Sequence, residues 1–219
     1  MLRIGIPASI QSSLSALSNV IFQSSVNSLG DLVISSNAAA GSVEGFVIAF
    51  MGVFSGTAMN FVGQNVGAHR YDRAKKALMI CLGCTAAVGI PASVLACFFA
   101  PTLLSIYITD SPEVIALGVM QMHVSCLNRT IFGLENTTAG ALRGMGDSMT
   151  TTIISILGLC GVRLIWIFTV FRLPQFHTPF WLFVSYPVSW VITLIAQSLA
   201  FSLVFRRKVQ SHNLVAQQV

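Results

Sequence analysis

Two carboxylates, Glu44 and Glu135, and two guanidinium groups, Arg129 and Arg163, fall inside long apolar stretches of this chain. An ionisable side chain at the centre of a bilayer costs about 2.5–3.5 kcal/mol on insertion scales, so each of the four marks a functional site by default. Glu135 stands among Asn136, Thr137 and Thr138, in the stretch that runs from Phe132 to Ser148. It precedes Arg143 by eight residues, about 12 Å along a helix axis. A carboxylate at that depth can exchange a proton or Na⁺ for a cationic solute. The structural alternative is a buried Glu paired with an amide or with Arg163. Glu44 lies about a turn below the outer end of its apolar run. It is either interfacial or a second carboxylate of the same chemistry. Arg129 is near mid-depth and two turns from Glu135 on a partly different face, so spacing defines no pair. The commoner role for Arg129 and Arg163 is that of structural counter-ions.

Other chemistries find no support. HExxH, a nucleophile elbow and a phosphate-binding loop are all absent from the sequence. His123 has no Asp, Glu or His at ligand spacing, so no metal site is expected. Cys81 and Cys84 have CxxC spacing but no second pair and no nearby His. With Cys97, Cys126 and Cys160 they are expected as small buried residues in membrane helices.

The elements that must position these groups are membrane spans. Only 9% of residues are charged and 54% are hydrophobic, against about 25% charged in a soluble domain. That leaves too little polar surface to cover a globule in water. The class is all-α integral membrane, a multi-pass partner of the lipid bilayer. Six apolar runs of spanning length occupy roughly 5–29, 40–62, 77–100, 116–141, 149–171 and 180–204. A single six-helix lobe over 1–204 is expected, followed by a polar cytoplasmic tail over 205–219. Nine of the twelve basic residues sit in one set of connections: Arg3, Arg70, Arg73, Lys75, Lys76, Arg143, Arg206, Arg207 and Lys208. The opposite set holds Asp31, Asp110, Glu113 and Arg172. The positive-inside rule then puts both termini in the cytoplasm, consistent with an even number of spans. The net charge of +5 is thereby accounted for without nucleic acid.

Within the spans, Gly89, Pro91 and Pro187 are breakers, read either as static kinks or as bend points. Gln11, Asn19, Gln23 and Asn27 recur at four- or eight-residue steps and so share one face of the first span. Such a stripe bonds to neighbouring helices or lines water. A cavity lined by Asn19, Gln23, Asn136 and Thr137 is expected, with Phe46, Phe50, Met51 and Phe132 as adaptable apolar contacts for a solute.

Three stretches resemble the multidrug and toxic compound extrusion (MATE) family. Ile4-Gly-Ile-Pro-Ala8 is similar to the start of that family's seventh helix. Gly63-Gln-Asn-Val-Gly-Ala68 with Arg73-Ala-Lys-Lys76 resembles its cytoplasmic loop between helices eight and nine. Gly140-Ala-Leu-Arg-Gly-Met-Gly-Asp147-Ser148 is similar to the segment joining helices ten and eleven. The resemblance covers residues 4 to about 205. It implies one C-terminal lobe of a twelve-helix transporter in the cell (inner) membrane. An N-terminal lobe, or a second half-transporter chain, is the implied partner. The implied activity is export of organic cations or amphipathic solutes in antiport with Na⁺ or H⁺, with no cofactor besides the coupling ion. Two rival readings are a lipid-linked sugar flippase of the same superfamily and a non-transporting membrane fragment. Many members of the family carry a carboxylate on the first helix of this lobe, where this chain has Ser15 and Asn19. The resemblance therefore carries the coupling-ion role to Glu135, with Glu44 as a substitute by geometry. Leu142 to Gly146 reads as a connector that identifies the family.

Overall fold

The computed structural model describes residues 2–109 and 111–216; Asp110, assigned above to the outer connections, and tail residues 217–219 lie outside the described residues, as do the side chains of residues 1–8, 10, 213, 215 and 216. Every regular element among the described residues is helical. They are α1 (Leu2–Asn27), α2 (Asp31–Gly67), α3 (Tyr71–Phe98), α4 (Ala100–Ser105), α5 (Pro112–Gln121), α6 (Arg129–Gly144), α7 (Ser148–Ser155), α8 (Val162–Phe168) and α9 (Pro179–Ala216). A π turn, Met122–Cys126, joins α5 towards α6, and a second, Ile156–Gly161, joins α7 to α8. Helix is the form in which an apolar segment satisfies its own backbone without water. Asp31–Gly67, Tyr71–Phe98, Ser148–Phe168 and Pro179–His212 are long and apolar enough to cross a membrane.

The helices overrun the expected spans. Residues Ser35-Ser36-Asn37 were expected in a connection, yet α2 begins at Asp31. Gly30, at φ 96, is the turn instead, a left-handed conformation that glycine adopts without penalty. Asp31 then supplies an acid to the first turn of α2, where the helix dipole favours it. Ser36 stays helical by donating its hydroxyl to the Val33 carbonyl. At the far end the expected polar tail continues α9 as helix through Ala216. Pro91 lies inside α3 and Pro187 inside α9.

The closest packing is between α2 and α6, and glycine explains it. A Cβ on Gly140 would collide with the Ser55 carbonyl oxygen, and one on Gly144 with that of Met59. Gly140 and Gly144 form a small-xxx-small stripe that lets two membrane helices touch backbone to backbone. Ser55 reinforces the seam by donating its hydroxyl to the Asn136 carbonyl at 2.7 Å. Leu142 and Arg143 thus belong to a packed helix, and the connector reduces to Met145, Gly146 (φ 86) and Asp147. Asp147 caps α7 by accepting the Thr150 amide at 3.2 Å.

Two apolar clusters bracket a polar layer. One gathers Ala40, Val43, Val47, Leu104 and Met122. The other gathers Ala58, Val62, Leu78, Leu142 and Phe201. Between them α6 buries Arg129, Thr130, Glu135, Thr137 and Thr138. The outer surface is apolar, with Phe46, Phe50, Val53, Leu157 and Leu199 all exposed. A surface of that kind is stable against lipid or another protein lobe, and not against water.

Candidate functional site

The polar layer holds two charged centres. Glu135, 1% exposed, is the first. Its carboxyl group meets the Ser155 hydroxyl of α7 and the Gln197 amide of α9, with the Arg143 guanidinium as the charge that acts on it. Gln197 Nε2 donates to Ser155 Oγ at 3.2 Å and to the Thr151 carbonyl at 3.3 Å, while Gln197 Oε1 has no partner among the described residues. The carboxyl group thus has a hydroxyl and an amide for neighbours, and the amide is itself tied to Ser155 and to the Thr151 carbonyl. That set of oxygens suits a hard monovalent cation or a proton shared between carboxyl and amide.

The second centre joins Glu44 of α2 to Arg129 at the start of α6. The two form an ion pair, and Glu44 is buried within the protein. The earlier start of α2 is the reason, since it places Glu44 thirteen residues inside the helix. Ser125, in the first π turn, donates to Glu44 Oε1, with the Gln121 carbonyl at 2.9 Å as its other acceptor. Arg129 lies over the Trp190 ring, 4.7 Å from its centroid. From here a line of amides crosses to α1. Gln121 Nε2 donates to Asn37 Oδ1, Asn37 Nδ2 to Gln23 Oε1, and Gln23 Nε2 to Asn27 Oδ1.

Beside Arg129 lies a central cavity of about 240 Å³, lined by Ser15, Ser18 and Asn19 of α1, by Arg129, Phe132 and Arg163, and by Tyr186 and Trp190 of α9. Arg163 donates through Nη1 to Asn19 Oδ1 at 3.3 Å and sits over the Tyr186 ring at 4.2 Å. A second cavity, about 200 Å³, is lined by Met51, Phe132, Gly133 and Asn136. A third, about 550 Å³, lies along Gln11, Ser15, Asn19 and Arg143.

The sequence-derived residues therefore separate. Asn19 lines two cavities, and Asn136 and Met51 share another with Phe132. Gln23 is engaged in the amide line. Thr137 faces α3, where its hydroxyl meets that of Thr85 at 3.0 Å. Phe46 lines a separate apolar cavity of about 300 Å³ with Tyr107, and Phe50 is exposed on the outer surface. Three amides of the α1 stripe bond to neighbouring helices: Gln11 accepts from Arg143, Asn19 from Arg163 and Gln23 from Asn37. Arg163 meets Asn19 rather than Glu135. Cys84 is exposed, unlike the other four cysteines, and all five are free thiols.

Ser125, Ser155, Tyr186, Trp190 and Gln197 went unnoticed in the sequence. Gln197 was findable: it is a lone amide inside an apolar run, as informative as those of α1.

The MatE family model matches residues 7–169. Over 209 residues the chain is 24% identical to the probable multidrug resistance protein YoeA of Bacillus subtilis (strain 168), a match covering 95% of this chain and 44% of YoeA. Over 125 residues it is 26% identical to the probable multidrug resistance protein NorM of Deinococcus radiodurans, covering 55% of this chain and 28% of that protein. The crystal structure of the Vibrio cholerae MATE transporter VcmN in its bent form superposes with a TM-score of 0.80 at 18% identity, over 97% of this chain and 47% of VcmN. The chain spans about half the length of YoeA and of VcmN.

Proposed function

The chain belongs to the MatE family, and we propose that it is the C-terminal six-span lobe of a secondary-active exporter. It works with an N-terminal lobe or a second half-transporter chain in the cell membrane, with both termini cytoplasmic. Cation entry drives the export of organic cations or amphipathic solutes. The observation that carries this reading is Glu135, a buried carboxyl group beside the Gln197 side chain, whose Oε1 has no partner among the described residues. A buried carbonyl oxygen without a donor costs about 1–3 kcal/mol. Either coupling ion removes that cost. A proton on Glu135 supplies a donor to Gln197 Oε1, and Na⁺ supplies a positive charge to the carboxylate, Ser155 Oγ and Gln197 Oε1 together. In either case the site is stable when loaded and costly when empty and charged, as an antiporter requires of the step that returns it across the membrane.

Glu44 contributes less directly in this reading, because Arg129 already neutralises it. A lipid-linked sugar flippase would need several uncompensated cations for a pyrophosphate, and the Glu44 pair leaves Arg163 as the one free cation among the described groups lining the central cavity. A non-transporting fragment is separated from a transporter lobe by whether a second six-span segment is encoded alongside it. Glu135→Gln in the assembled two-lobe transporter should abolish ion-coupled efflux of a dye substrate while leaving the protein folded and membrane-inserted. Undiminished efflux overturns the coupling role of Glu135.

A further inference from the structure

The central cavity carries one uncompensated positive charge among its described lining residues. Arg129 is paired with Glu44, so it brings no net charge. Arg163 is 7% exposed and has no carboxylate partner among the described residues. Its contacts are the neutral oxygen of Asn19 and the rings of Tyr186 and Phe22, 4.2 and 5.8 Å from the guanidinium carbon. Its Nε is buried without a hydrogen-bond partner, and so is the hydroxyl of Ser18, which lines the same cavity and is 2% exposed. A guanidinium buried with one donor used and no counter-charge is costly to hold, and an oxyanion relieves it through two parallel hydrogen bonds.

The geometry points to a ligand with a single carboxylate-type oxyanion, held by Arg163 and Ser18, on a flat apolar body that lies against Tyr186, Trp190 and Phe132. One uncompensated charge matches a monoanion. The aromatic walls match a planar group, whose faces and edges pack well against rings. At about 240 Å³ the cavity falls below the roughly 300–1,000 Å³ of sites that enclose whole drug-sized molecules. It therefore takes the charged head and first ring of a solute, with the remainder extending past α1 towards the cavity along Gln11 and Arg143.

This names the substrate class of the proposed exporter and rests on that reading only for the word substrate, because binding is read at equilibrium without an ion gradient. Naphthoate and naphthylmethylammonium, matched in shape and opposite in charge, are dialysed to equilibrium against the full chain in phosphatidylcholine nanodiscs, with empty nanodiscs subtracted. Naphthoate should bind saturably and at least about tenfold more tightly than the ammonium. Arg163→Gln should remove about tenfold or more of the naphthoate affinity and leave the ammonium unaffected. Equal or tighter binding of the ammonium overturns the inference, as does an equal loss for both ligands. If circular dichroism shows that Arg163→Gln does not fold, Arg163→Lys carries the test. It keeps the charge and loses the fork, so naphthoate affinity should fall several-fold, and an unchanged affinity overturns the inference. Naphthoate binding without ion-coupled efflux would count against the transport reading alone; efflux with no preference for the anion would count against this inference alone.

Discussion

Replacing Glu44 by Leu removes one half of a buried ion pair and leaves the other in place. Arg129 is 7% exposed, and its Nε already lacks a partner. Breaking a buried pair from one side costs about 3–5 kcal/mol, and a lone Arg at the centre of a membrane helix costs about 2.5–3.5 kcal/mol on insertion scales. The two figures agree near 3 kcal/mol, more than a hundredfold in the unfolding constant. Two local details keep the cost from rising further. Ser125 loses Glu44 as acceptor but retains the Gln121 carbonyl at 2.9 Å. Arg129 also keeps the Trp190 face at 4.7 Å, which offsets part of the lost charge partner. The reverse variant, Arg129→Met, should cost less, because an orphaned carboxyl group has a neutral form open to it and a guanidinium has none. The double variant Glu44→Leu/Arg129→Met removes both charges and should recover most of the loss, since an apolar pair of similar volume is often neutral or stabilising. Reversible unfolding in mixed micelles with a rising SDS fraction, followed by tryptophan fluorescence, gives all three free energies. A coupling of about 2–3 kcal/mol is expected from the cycle. Single effects that add within about 0.5 kcal/mol would mean that the pair is not a unit and that the second centre is wrongly drawn.

Two further outcomes follow from the packing. Gly144→Ala puts a methyl group against the Met59 carbonyl; thermal unfolding of the detergent-solubilised chain should show a loss of about 1–3 kcal/mol, typical of overpacking, and an unchanged midpoint would show that α2 and α6 can separate freely. Asp147→Ala removes the one side-chain cap of α7, at 3.2 Å from the Thr150 amide, and should cost about 1 kcal/mol in the same assay, with Asp147→Asn restoring most of it.

Much of this arrangement is legible in the residues. Composition forces helices, because lipid leaves an isolated apolar segment no other way to satisfy its backbone. Glu135 is conspicuous as a lone carboxylate beside Asn136 and Thr137, and it is buried. Its separation from Arg129 also follows from spacing, since six residues along an unbroken helix turn through about 240°. The Glu44–Arg129 pair was not legible, for two physical reasons. The start of α2 is decided by Gly30, whose left-handed conformation outweighs the polarity of Ser35, Ser36 and Asn37; Ser36 bonds within the helix, and Asn37 bonds to Gln23 and Gln121. And a π turn stands between Gln121 and Arg129. Such a turn inserts a residue into the ladder and rotates all that follows by about 100°, so face arithmetic carried across it fails. The same holds for Gly140 and Gly144. A glycine that permits contact and a glycine that permits a turn look alike in sequence, and only the neighbour, a carbonyl oxygen of α2, distinguishes them.

Two centres of opposite sign share the same pair of elements. Ser155 and Arg163 are eight residues apart, about 12 Å along a helix axis. Ile156–Gly161 intervenes, and Ser155 faces Glu135 while Arg163 faces α1 and Tyr186. On α9 the division repeats, with Tyr186 and Trp190 at the positive cavity and Gln197 at the carboxyl group. Pro187 lies beside the first set, where its missing N–H weakens the helix ladder. Two helical runs besides α6 thus touch both the carboxyl centre and the cavity, each with an irregularity at or near the boundary. Coupling between sites needs an element with two arrangements that both ligands bias. The run Ser148–Phe168 and the first half of α9 touch both sites, as α6 does through Glu135, Arg129 and Phe132. Under the exporter proposal, the α2–α6 seam, where carbonyl oxygens meet glycines, is the frame, and the two irregular runs are the elements that move against it.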